Sequence, residues 1–177
     1  SIAASSPPGL LGMVLCCSFA RSPLPFLSFT RLVADIFPVK TLPLGLLNFL
    51  ALGRFSTPSL LAAVATTLAR VSTATLRARI TALLVIDVSP LLRSITIPVL
   101  YLRASEDRIV LPSSSDLVAS LTSDCRVVDF LAPHLLLQVM PSLAAMVVLD
   151  FMDQVSSRSS IPHGPENSDV KRSPDHP

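Results

Sequence analysis

Tryptophan is absent and tyrosine occurs once among 177 residues. A chain this poor in flat polar rings has few platforms on which unpaired bases could stack. Charge is sparse as well: 14 basic against 12 acidic residues leave a net charge of +2. Arg21, Arg31, Arg54, Arg70, Arg77, Arg79 and Arg93 are scattered along the chain instead of forming a basic stripe. Nucleic acid is therefore excluded as a partner. Three cysteines, two of them adjacent (Cys16, Cys17) and the third at Cys125, make neither a disulfide framework nor a zinc-type spacing. Consecutive strand residues point to opposite faces, so the pair does not read as a thiol nucleophile. The cysteines fit small core residues in a reducing compartment, and a cytoplasmic location is expected. No metal and no other cofactor is expected, since His163 and His176 also stand without partners at metal spacing.

What the chain has in excess is apolar side chains, at half of all residues and a mean hydropathy of +0.63. Two uncharged runs, residues 1–20 and 130–149, approach the roughly 20 residues that span a bilayer. The first contains Pro7, Pro8 and Gly9, the second Pro133, His134, Gln138 and Pro141. These break a helix and carry polar groups that lipid would leave unsatisfied, so a membrane span is not expected. A secretion signal is not expected either: no basic segment precedes the apolar run, and Leu15 stands where a cleavage site wants a small residue. High hydropathy also follows from strands buried on both faces.

The most informative stretch is residues 95–138. Residues 99–102 (VLYL), introduced by Pro98, form a short buried-strand pattern, and residues 126–131 form a second. Asp129 and the terminal position of that second strand place it at a sheet edge with one wetter face. Between them Ser113 and Asp116 have capping-box spacing, and Leu117, Val118 and Leu121 form one helical stripe. The unit is β-α-β, long enough for a right-handed parallel crossover. Asp107 follows the first strand and His134 the second. Groups just past the carboxyl ends of parallel strands face the crevice where ligands bind. A further helix follows, with Pro141 in its first turn and Leu143, Met146, Val147, Phe151 and Val155 on one face.

Upstream, residues 13–17 form another short apolar strand pattern. From Ser18 to Leu92 the pattern turns helical and proline-punctuated. Pro23, Pro25, Pro38 and Pro43 break up its first half. Thr57 and Pro58 then form an N-cap and first-turn pair ahead of Leu61, Val64, Leu68 and Val71. A second helix starts near Ser72 or Thr73, with Leu76, Ile80 and Leu83 on one face. Asp87 suits the capping of a turn at residues 89–92.

The segments IPVLYLRASEDRIV and FLAPHLLLQ, together with SIAASSPPGLLGMVLCCSFARSP at the N-terminus, resemble the C-terminal part of an α/β-hydrolase. The resemblance implies an α/β fold: three parallel strands with flanking helices, plus an inserted helical cap. Residues 1–17 would be the end of the nucleophile helix and the sixth strand, 18–93 the cap, and 94–155 the core carrying the acid and histidine loops. Residues 156–177, polar and proline-rich, would be a disordered tail. By the same resemblance Asp107 is the triad acid and His134 the base. Glu106, next to Asp107, is a rival acid; Asp129 and Asp87 are weaker ones, lying within and before a strand.

The chain departs from the family in one decisive place. None of its five glycines frames a serine in a G-x-S-x-G elbow. The nucleophile, the N–H after it and the upstream oxyanion loop would all lie before Ser1, and the chain is expected to be a C-terminal fragment. Pro133 also stands where many relatives carry glycine. The expected function is a serine hydrolase acting on an ester or related acyl substrate of hydrophobic character, inactive as this fragment alone. The alternative is a non-catalytic binding scaffold. An exposed sheet edge predicts self-association.

Overall fold

The structure is a computed structural model that describes residues 2–22 and 43–159. Pro23, Pro25 and Pro38, along with His163, His176 and the tail from residue 160, lie outside the described residues.

Three parallel strands, β1 (Met13–Cys16), β2 (Val99–Ala104) and β3 (Cys125–Phe130), form one sheet in the order β1-β2-β3. Met13 pairs with Val99, and Val99 with Cys125. The chain is in register because β2 is apolar throughout its first four residues and is covered on both faces. Leu100, Leu102 and Ala104 point one way, into a cluster with Phe130, Ala132 and Leu136. Val99 and Tyr101 point the other way, against Ala3, Ala20, Leu92 and Val118. Each fully buried Leu side chain here contributes about 1.5–3 kcal/mol. The predicted second strand is shifted by one residue: β3 ends at Phe130, and Leu131 turns out to solvent.

One face is covered by α5 (Pro112–Leu121), the fifth α-helix along the described chain. Val118 is buried, with Leu117 and Leu121 beside it as the stripe predicts. The predicted capping box does not form. Pro112 starts the helix with its fixed φ, no side chain caps it, and Asp116 instead accepts from Arg103 Nη1 at 3.0 Å.

The opposite face is covered by α7 (Pro141–Ser159), which follows a single turn, α6 (Leu136–Val139). Its buried face is Ala144, Phe151 and Val155, with Val147 and Val148 packed alongside. Leu143 and Met146, predicted on that face, are exposed. Ala144 sits one step around the helix from Leu143 and is small enough to lie directly on the sheet. Phe151 fills the space over Gly12, where an added Cβ would lie 3.0 Å from its ring. The helix also runs beyond the predicted boundary at residue 156. Ser157 Oγ donates to Asp153 O and Arg158 pairs with Asp124 at 2.8 Å, and both hold the last turn.

Between β1 and β2 lie α1 (Leu44–Ala51), α2 (Pro58–Arg70), α3 (Thr73–Val85) and α4 (Ser89–Leu92). The predicted caps are present: Thr57 Oγ1 accepts from Leu60 N–H at 3.2 Å and Ser72 Oγ from Thr75 N–H at 3.1 Å. In α3 the buried residue is Leu84, and Leu83 is exposed. Asp87 Oδ1 accepts from the Ser89 N–H at 2.9 Å, stabilising the α4 turn as its position suggests. Val88 and Leu92 pack with the sheet, so sheet packing resumes ahead of residue 94. Among the described residues no single helix is long and apolar enough to cross a membrane; α2 and α3 pass that test only as a pair bent by 101°.

Candidate active site

The ends of β2 and β3 continue side by side as loops. Ser105 N–H donates to Phe130 O at 2.9 Å and Glu106 N–H to Ala132 O at 3.0 Å, which extends the strand pairing past the sheet. This brings Asp107 and His134 together. His134 Nδ1 lies 2.8 Å from Asp107 Oδ2. The other carboxylate oxygen, Oδ1, accepts from the backbone N–H groups of Ile109 and Val110, both at 2.8 Å. The loop sequence Asp-Arg-Ile-Val makes this possible, because a short acidic side chain folds back onto N–H groups two and three residues on.

The Asp107 side chain is 2 % exposed and that of His134 26 %. Burial pushes the Asp107 carboxyl up, but the hydrogen bond to His134 and those from Val110 and Ile109 outweigh it and hold it below the usual carboxylate range. Asp107 is thus ionised and acceptor-only near neutral pH. Its partner atom Nδ1 must then carry the proton, which leaves the lone pair of a neutral imidazole on Nε2. The pair can accept a proton at Nε2 while the carboxylate balances the charge that forms.

Of the rival acids, none reaches His134. Glu106 pairs with Arg54, Asp129 with Arg103, and Asp87 with Arg21 at 3.1 Å. Pro133, the residue before the histidine, is fully buried.

Cys17 is the neighbour that sequence reasoning missed. Strand β1 ends at Cys16, and Cys17 turns with a φ of +44°. The turn defeats the expected alternation: both sulfurs pack against the same cluster, 4.0 Å apart. Donor atoms of Cys17, Asp107 and His134 fall within 4.8 Å of one another. No pattern announces a positive φ at a non-glycine residue, so the sequence carries no signal for this. A sulfur, a nitrogen and a carboxylate are a donor set that zinc accepts. Here, however, Oδ1 is taken by two N–H groups and Oδ2 by the imidazole, so a metal would have to break bonds already made. The Cys17 thiol is pushed up by its hydrogen bond with Cys16, by burial and by nearby negative charge, and it stays protonated. It is a poor nucleophile.

The three-stranded parallel sheet with its flanking helices has the architecture of the α/β-hydrolase fold, of which this chain makes up a part. The structure is similar to an enol-lactonase from Burkholderia xenovorans LB400, with a TM-score of 0.71 and 18 % identity over 80 % of this chain and 56 % of that one. A thermophilic esterase from Thermogutta terrifontis matches with the same TM-score of 0.71 and 18 % identity, over 82 % of this chain and 56 % of the esterase. A proline iminopeptidase from Mycobacterium smegmatis matches at a TM-score of 0.66 and 18 % identity, over 90 % and 62 %. This chain therefore spans little more than half the length of these hydrolases. No family model and no curated protein matches it.

Proposed function

We propose that this chain carries the acid and base of a serine hydrolase acting on an ester or related acyl substrate, with Asp107 as acid and His134 as base. The observation that supports it is the 2.8 Å contact between a buried, ionised carboxylate and Nδ1 of a half-buried histidine at adjacent strand ends. In the complete site His134 Nε2 takes the proton from a serine hydroxyl as the serine attacks the carbonyl, then returns it to the leaving group. Water repeats the cycle on the acyl-enzyme. Asp107 holds the tautomer and balances the imidazolium. The nucleophile and the oxyanion donors come from outside these 177 residues, each donor being worth about 10² to 10³ in rate. The substrate is a small hydrophobic acyl compound, in keeping with the apolar inserted helices. The three free thiols favour a cytoplasmic location.

The test is hydrolysis of a p-nitrophenyl acyl ester by this chain and by the longest product of its gene. The chain alone is expected to be inactive, and the longer product active with a loss on the order of 10⁶ in His134→Ala. Turnover by this chain that His134→Ala abolishes would overturn the division of the site. A longer product without a G-x-S-x-G elbow and without turnover would favour the second reading, a binding scaffold. That reading draws on the absence of such an elbow from this sequence.

A further inference from the structure

Three residues that neighbour the pair in sequence all reach the same short piece of the inserted region, residues 49–54 at the end of α1. Glu106, before Asp107, forms an ion pair with Arg54. Arg108, after Asp107, donates from Nη1 to Phe49 O at 3.0 Å, and its guanidinium lies 4.5 Å from the centre of the Phe49 ring. Leu135, after His134, donates its N–H to Ala51 O at 3.2 Å. The gripping segment is itself anchored, with Ala51 and Leu52 buried. Gly53 completes the fit. Its φ of +55° is one that side-chain-bearing residues rarely adopt, and a Cβ there would fall 2.1 Å from Arg108 Nη1. Arginine suits this position because its planar fork donates to a carbonyl while its face stacks on a ring.

We infer that residues 49–54 act as a clamp on the Asp107–His134 pair, with Arg108 as its main positioning residue and Glu106–Arg54 as its second arm. The clamp holds the acid loop and the histidine loop from one body, so the separation of the two side chains is set jointly by the sheet and by the inserted helices. A shift of α1 moves both loops together, which ties the alignment of the pair to the position of the inserted helices. This inference rests on reading Asp107 and His134 as acid and base. Its test follows the bond between them and not turnover, so a bond that is present in wild type and unchanged in the variants overturns the clamp and leaves that reading standing.

The experiment is proton NMR of the full 177-residue chain with nitrogen-15-labelled histidine, following the far-downfield Nδ1–H of His134 bonded to Asp107. Arg108→Ala and Gly53→Ala are expected to speed solvent exchange of that proton at least tenfold or abolish its signal. Arg108→Lys, which can still donate to Phe49 O, should restore part of it. Arg126→Ala removes another exposed arginine, one that pairs with Asp150 away from the site, and should leave the signal intact. If Gly53→Ala unfolds the chain, Arg54→Ala carries the same expectation in weaker form. An unchanged signal in folded Arg108→Ala would overturn the clamp, as would equal loss in Arg126→Ala. A wild-type chain lacking the signal would remove the pairing and the clamp with it.

Discussion

The Tyr101 hydroxyl closes on the backbone of Ser18 from both sides, donating to its carbonyl and accepting its N–H at 3.0 Å. Tyr101 is the chain's one tyrosine and is almost wholly buried in β2. It ties β2 to the turn where Cys17 swings beside Asp107 and His134. Burial, opposed by the bond to Ser18, pushes its phenol up to about 12, so it remains a donor at any physiological pH.

Tyr101→Phe therefore leaves two backbone groups without partners while keeping the ring. The expected loss is roughly 1–3 kcal/mol of stability. A lowered urea midpoint with an unchanged slope is the signature; an unaltered midpoint would mean that water replaces the hydroxyl.

Asp107 makes stability depend on acid. Its pKa is lower folded than unfolded, so between the two values the unfolded chain binds the extra proton and stability rises with pH. The contribution is complete above the unfolded value of about 3.9 and is lost as pH falls through the folded one. Asp107→Asn keeps an oxygen for the Ile109 and Val110 N–H groups but cannot ionise. Urea midpoints compared at about pH 6 and about pH 3 should fall more steeply in wild type than in the variant. Equal slopes would place the acid sensitivity elsewhere.

Phe151 spans from α7 to Gly12 and the sheet. Truncation in Phe151→Ala opens a cavity between two layers and is expected to cost about 3–5 kcal/mol, read from chemical denaturation. A loss below about 1 kcal/mol would indicate that α7 collapses onto Gly12.

Strand β1 carries no charge and no proline, and among the described residues no strand pairs with its outer side. We expect it to mediate association between copies, since such edges template further pairing. Val14→Lys, at a 40 % exposed position, should lower the sedimentation coefficient at a given concentration. A distribution identical to wild type would remove β1 as the contact.

What could be read from the residues alone is what local physics dictates. Short apolar runs with β-formers gave all three strands, Thr57 and Ser72 gave helix starts, and residue order put an acid and a histidine just past two strand ends. Helix faces were read less well, because Leu143 and Ala144 are equally compatible with a stripe until the sheet decides how closely the helix lies. The sequence by itself thus determined a parallel α/β unit with Asp107 and His134 at its carboxyl end. Only the tertiary structure decided that Asp107 and not Glu106 meets the imidazole, that Cys17 turns in beside them, and that Arg108 and Leu135 are held from residues 49–54. Those outcomes depend on loop conformation and on contacts between residues far apart in the chain, which neither periodicity nor local preference encodes.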